Sequence, residues 1–150
     1  MIEVPAAAFL VDEILLQVDS VSIGLNDLTQ YLLAADRDDE FVERYHDAMQ
    51  PSVLRLLSRI VDSACAQGKP LTICGELAGD PKLTGLLLAL GIRRLSVARS
   101  NYRGVVKAIR RLSLRSMDGI GAEVLGLGTA AAVRKYVAER LTAPGTGGEG

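Results

Sequence analysis

The chain has 150 residues, of which 49% are apolar and 23% charged, with a formal net charge of −1. That length and balance suit one small domain with a sizeable core, and a charge so near zero excludes a molecule-wide electrostatic trap for nucleic acid. Two cysteines, one histidine and no Cys-x-x-Cys pair exclude a four-ligand zinc site and a disulfide framework, so a reducing, cytoplasmic compartment is the simplest setting. Met-Ile-Glu-Val-Pro at the amino terminus carries no basic segment leading into an apolar one, and no signal peptide is expected. No apolar run reaches the ~20 residues of a membrane span, so no membrane partner is expected either.

Taken in chain order, four short apolar segments read as strands: Met1–Val4, Ser20–Ile23, Leu71–Ile73 and Leu95–Val97. Each precedes a segment of helical period. Ala7–Val18 presents Phe9, Leu10, Ile14, Leu15 and Val18 on one face. Asn26–Ala35 opens on Asn-Asp, a good helix start. Pro51–Gln67 is a long amphipathic helix with Pro in its first turn and Gly68 past its end. Asp80-Pro81 opens a helix to Leu90, and Asn101–Leu112 forms the next. Residues 116–142 close the domain with one or two helices, Ala130–Leu141 the clearer. Residues 143–150 end in GTGGEG and are expected to be a disordered tail beyond a domain of residues 1–142.

Strand and helix alternating four times predict an α/β fold with a parallel, helix-covered sheet. Right-handed crossovers then bring the carboxyl ends of the strands to one rim, where ligands bind in such sheets. Met1 already lies inside the first strand, and four parallel strands leave two open edges. The chain therefore reads as part of a larger whole.

The rim candidates are Glu3, Asn26, Asp27, Arg37 and Cys74. Glu3 is fixed near a strand end by Pro5. Asn26-Asp27 after Gly24 suits either a plain helix cap or a cation and phosphate site. Two carboxylates on separate loops can share one Mg²⁺. Arg37 stands among acids, as a solvated ion pair or as a phosphate clamp. Cys74, followed by Gly75-Glu76 and with Asp80 nearby, is either an inert thiol or a group that exchanges a proton with carbon. Cys65, mid-helix, is expected to be a packed core residue. His46 lies in a polar connector without triad partners and is expected to be structural. Gly126-Leu-Gly-Thr-Ala-Ala131 fits a loose dinucleotide pattern without the strand–helix–strand frame that pattern needs. Between Arg93 and Arg115 there are eight basic residues and no acid. Arg103, Lys107, Arg110 and Arg111 form the wet face of an outer helix, opposite Val105, Val106, Ile109 and Leu112.

Met1-Ile-Glu-Val-Pro-Ala-Ala-Ala8, Ser22-Ile-Gly-Leu-Asn-Asp-Leu-Thr-Gln-Tyr31, Ala35-Asp-Arg37 and Cys74-Gly-Glu-Leu-Ala-Gly-Asp80 occur in this order. Together they resemble the C-terminal half of the phosphoenolpyruvate-binding barrel of the Enzyme I family, the phosphoenolpyruvate–protein phosphotransferases of bacterial sugar uptake, over residues 1 to about 142. Pyruvate phosphate dikinase and phosphoenolpyruvate synthase share the barrel and the Asn-Asp-Leu-Thr-Gln run. The resemblance implies a partial (β/α)8 TIM barrel comprising the last four strand–helix units and C-terminal helices, out of a full barrel of about 250 residues. It further implies that Glu3 and Asp27 hold Mg²⁺, that Asn26, Asp27 and Arg37 bind phosphoenolpyruvate, and that Cys74 protonates enolpyruvate to pyruvate. The implied partners are a histidine-bearing N-terminal domain, the histidine phosphocarrier protein and a second copy in a homodimer. Two phosphate-binding arginines of the family's earlier strands have no counterpart here, and His46 does not match the family's phosphorylated histidine. Leu25 replaces a usual threonine, and Arg99 stands where small or apolar residues are usual. The expectation is an enzyme fragment with little phosphotransfer activity alone. The alternatives are a dimerisation or interaction module with a vestigial site, or a fragment of a related pyruvate phosphate dikinase or phosphoenolpyruvate synthase.

Overall fold

The computed structural model describes residues 1–141. Its sheet is built from two hydrogen-bonded parallel strands, β1 (Val21–Gly24) and β2 (Leu71–Cys74), in the register Val21↔Leu71, Ser22↔Thr72, Ile23↔Ile73 and Gly24↔Cys74. One parallel bridge extends the sheet on each side, Ile2 beside Ile23 and Leu95 beside Ile73. All four expected strands therefore lie side by side in chain order, but the outer two shrink to a single bridge each. On the β1 side, the Ile2 amide donates to Ser22 (2.7 Å) and the Gly24 amide to Ile2 (3.0 Å). On the β2 side, the Ile73 amide donates to Arg94 (3.0 Å) and the Ser96 amide to Ile73 (2.8 Å). The arrangement is mixed α/β, and among the described residues it is a short parallel sheet rather than a formed half-barrel.

Helices fill the connections. α1 (Pro5–Phe9) and α2 (Val11–Gln17) follow the first segment, and α3 (Leu25–Leu33) follows β1. α4 (Pro51–Ala66) leads into β2, and α5 (Pro81–Ala89) and α6 (Arg99–Arg110) flank the Leu95 segment. α7 (Ile120–Leu125) and α8 (Ala130–Arg140) close the domain. Ile2, Ile23 and Ile73 are almost wholly buried in one row across the sheet. They meet Leu54, Leu57 and Ile60 of α4 and Leu86 and Leu87 of α5 in one core. Burial of aliphatic area on this scale supplies most of the folding drive.

Three expectations change. The single helix over Ala7–Val18 breaks at Leu10, where φ is −97° and ψ 19°. Its buried face is Ala8, Val11 and Leu15, while Phe9 and Leu10 are exposed. Of the expected stripe Leu15 is buried and Val18 packs against the core, but Ala8 and Val11 take the places expected of Phe9 and Leu10. Cys65 is exposed and not packed in the core. The buried stripe of α4 runs through Val53, Leu57, Ile60 and Ala64, and Cys65 falls outside it in the helix's last turn. α3 begins one residue early, with Gly24 at its N-cap and no side-chain cap. Asn26 and Asp27 are thus inside the first turn and do not cap it. The Gly145–Gly150 tail lies outside the described residues.

Candidate active site

The register that buries the isoleucines also aligns the residues after them. Glu3 follows Ile2, Gly24 follows Ile23 and Cys74 follows Ile73, so these three share the next row. Side chains alternate along a strand, so this row faces away from the isoleucine core. Gly24 matters here because it has no side chain. A Cβ at that position would lie 2.7 Å from both Cγ and Oε1 of Glu3, so the glutamate side chain crosses the glycine backbone toward Cys74. The Cys74 thiol donates to the carbonyl of Ile23 at 3.2 Å.

Asn26 ties the two strand ends together. It is buried, and its Oδ1 accepts from the Leu77 amide at 3.2 Å. Gly75 has φ +100°, and a Cβ there would lie 3.0 Å from that same Oδ1. Position 75 therefore needs glycine for both conformation and room. The polar side chain that the sequence offered as a helix cap instead satisfies a backbone amide of the neighbouring loop. Asp27, in the first turn of α3, is favoured there by the helix dipole.

Arg37 reaches the site from beyond α3, which ends in a left-handed turn at Ala34 (φ 50°). The buried Ala35 then anchors the chain, and Arg37 Nη1 stands 3.8 Å from Asp27 Oδ1, both side chains 42% exposed. A pair this long and wet contributes little stability, which leaves the guanidinium free to meet an anion.

The Cys74 thiol has its pKa raised. Partial burial is the largest cause, followed by the Glu3 carboxylate, with Asp27 adding to it. The amino-terminal ammonium and a backbone hydrogen bond oppose this only in part. The thiol is therefore protonated at neutral pH and can donate. The five expected residues lie at one end of the sheet: Glu3 over Gly24, Cys74 opposite Gly24, Asn26 against Gly75, Asp27 next to Asn26, and Arg37 through its pair with Asp27.

Among the described residues, no three of His, Cys, Asp and Glu converge in a metal-holding group. The donor set is two hard carboxylates. That is too few for zinc but fits Mg²⁺, which keeps waters and takes further oxygens from a substrate. Asp80 does not join the set. Its Oδ1 caps α5 by accepting from Lys82 N at 2.8 Å. With Glu76, Ser100 and Asn101 it lines an open cleft of about 420 Å³ beside the site.

Other sequence expectations resolve locally. Leu25, where bulk replaces a hydroxyl, is wholly buried among the core residues. Arg99 is exposed at the start of α6. The four cations of α6 are exposed, and Val105 is that helix's only buried residue. What sequence reasoning missed is how the support is made: Gly24 beneath Glu3, the Leu77 amide on Asn26, and the Asn26 carbonyl as the partner of His46. Sliding the strands until their isoleucines align would have found the first.

The chain matches the family model described as "PEP-utilising enzyme, PEP-binding domain" over residues 1–115. It is 40% identical over 137 residues to the phosphoenolpyruvate-protein phosphotransferase of Geobacillus stearothermophilus, covering 91% of this chain and 24% of that protein. Identity to the enzyme of the same name from Listeria monocytogenes is 41% over 143 residues, covering 93% of this chain and 25% of the relative. An Escherichia coli K12 protein named for the phosphoenolpyruvate-dependent phosphotransferase system is 38% identical over 151 residues, covering 99% and 20%. The chain thus spans about a quarter of the length of these curated relatives or less. With a match across three quarters of its residues, falling on the segments that build the Glu3–Asp27–Cys74 rim, the chain belongs to the PEP-utilising enzyme family, in its PEP-binding domain.

Proposed function

We propose that this chain is the C-terminal part of the substrate barrel of a phosphoenolpyruvate–protein phosphotransferase, carrying the metal-facing and proton-donating side of its site. The observation that carries the reading is the alignment of Glu3, Gly24 and Cys74 in one row, with Asp27 acting on the same sulfur. In the whole enzyme the four parallel segments would be the second half of a (β/α)8 barrel. The outer edges of the Ile2 and Leu95 segments, and exposed Phe9, Leu10 and Leu16, suit burial against further protein.

Glu3 and Asp27 would hold Mg²⁺, which supplies charge stabilisation on the transferring phosphoryl group. Asn26 orients Asp27 through its grip on the 75–77 loop. Arg37 offers its planar fork to a phosphate or carboxylate oxygen as Asp27 turns to the cation. During transfer, the bond from phosphorus to the enol oxygen breaks and a bond to an acceptor imidazole nitrogen forms. The acceptor belongs to another part of the enzyme or to a partner, because His46 is engaged elsewhere. Cys74 then gives its proton to the methylene carbon of the enolate, forming pyruvate, and the thiolate regains a proton from water.

Thermal unfolding of the chain with phosphoenolpyruvate and Mg²⁺ tests this. The expected result is a rise of about 3–5 °C at ten times Kd, lost in Asp27→Asn. Little phosphotransfer to a histidine-bearing domain is expected from the chain alone. A melting curve indifferent to both ligands would overturn the reading. Exposed Phe9, Leu10 and Leu16 favour a second role in self-association as a homodimer, which sedimentation equilibrium measures directly.

A further inference from the structure

His46 is the only histidine of the chain. It lies half-buried in the connector between α3 and α4, with its Nε2 3.0 Å from the backbone oxygen of Asn26. A carbonyl oxygen can only accept, so Nε2 carries the proton and donates it. Resting on the metal and substrate roles proposed above, we propose that His46 is a positioning residue: its Nε2–H holds the Asn26 carbonyl and so fixes the aim of the neighbouring Asp27.

The connector is braced to hold this imidazole in place. Its backbone turns tightly at Glu43–Tyr45, and the His46 amide donates to Glu43 O at 2.9 Å. Next along the chain, Asp47 is held twice. Its Oδ1 accepts from the Met49 amide at 2.9 Å, and its Oδ2 pairs with Arg134 of α8. Ala48 is buried, and Pro51 starts α4 at once. Further up, the amides of Asp38 and Phe41 donate to the carboxylates of Asp36 and Asp39. This charged stretch is therefore a folded strut rather than a loose loop.

Asn26 is consequently gripped at both ends, its side chain by the Leu77 amide and its carbonyl by His46. Asp27, the next residue, inherits the orientation of that peptide. In metal sites, partners that aim a ligand commonly change affinity ten- to a hundredfold when removed. One hydrogen bond to a backbone carbonyl sits at or below the bottom of that range.

The test uses the full chain, with Mn²⁺ as the probe ion, and compares His46→Leu, which fills the space without donating, with His46→Gln, whose amide nitrogen can reach as Nε2 does. We expect His46→Leu to weaken Mn²⁺ binding roughly three- to tenfold and to shift the amide resonances of residues 25–28. His46→Gln should restore both to near the parent values. Long-range ¹H–¹⁵N spectra of the parent should report a proton on Nε2. A proton on Nδ1 alone, unchanged affinity and amide shifts in His46→Leu, or equal damage from both variants would overturn the proposal. Should His46→Leu fail to fold, His46→Gln and the ring spectrum still decide. If the parent binds no Mn²⁺, the metal reading fails on its own, and the shifts at residues 25–28 decide the role of His46.

Discussion

Two charged regions of this molecule behave in opposite ways. At the sheet end, Arg37 pairs with Asp27, the Glu3 side chain lies over Gly24 and Cys74 sits opposite Gly24, with glycine backbone at positions 24 and 75. On α6 and its C-cap, Arg103, Lys107, Arg110 and Arg111 are all exposed, and none forms an ion pair with an acid among the described residues. The sequence is denser in charge on α6, yet only the sheet end makes charges converge. Bringing opposite charges together on a partly buried place is what alters a pKa or holds an ion, whereas like charges along a wet helix face are weakened by water and salt. Charge density along a helix says that its face is wet and little more.

The comparison can be broken or sharpened by substitution, starting with the largest expected effect. Gly75→Ala would strain a φ of +100° and crowd Asn26 Oδ1, costing about 1–3 kcal/mol in urea unfolding. Gly68→Ala is the natural control. It has φ +63° but open space around a new Cβ, so it should cost about 1 kcal/mol or less and leave ion binding alone. Equal costs at the two glycines would mean that the Asn26–Gly75 contact is not tight.

Gly24→Ala should cost modest stability, because a Cβ there meets Cγ as well as Oε1 of Glu3 at 2.7 Å and the whole glutamate side chain has to move. It should also weaken Mn²⁺ binding by displacing Glu3, and isothermal titration reads both variant and parent. Unchanged affinity would mean that Glu3 is not a ligand.

The thiol gives a smaller, directional effect. The pKa of Cys74 is raised in the folded state, so the unfolded chain loses this proton first as pH climbs. The associated stability is fully present below the ordinary thiol range and lost as pH rises through the folded value. Unfolding free energy should therefore decline across alkaline pH, and decline less in Cys74→Ala. Glu3→Gln removes the second-largest cause of the raised pKa, so Cys74 should alkylate faster at pH 8, read by peptide mass spectrometry with exposed Cys65 as internal reference. A slower Cys74 would reverse the assigned sign. Smallest of all, converting Arg103, Lys107 and Arg110 together to Gln should leave Mn²⁺ affinity unchanged and stability within about 0.5 kcal/mol.

Much of the fold was legible because its signals are local. Pro51 and Gly68 bracket α4, Asp80-Pro81 opens α5, and each strand centres on a branched aliphatic residue. The break at Leu10 and the exposure of Cys65 were not legible, because burial there depends on which face the sheet happens to cover. The placement of the candidate residues at one end of the sheet was legible, since Asn-Asp and Cys-Gly-Glu each follow a predicted strand. How those residues are held was not. His46 lies twenty residues from Asn26, and Leu77 fifty-one residues from it. No periodicity in a sequence encodes a contact between a connector and a carbonyl.

The central proposal is that Glu3 and Asp27 hold a hard cation beside Cys74. A Mn²⁺ titration followed by paramagnetic broadening of backbone amides tests it most directly. Broadening should begin at Gly24, Asn26, Asp27 and Gly75, spare α6, and vanish in Asp27→Asn. Broadening that starts instead in the acidic connector, at Asp36 to Glu43, would contradict the account.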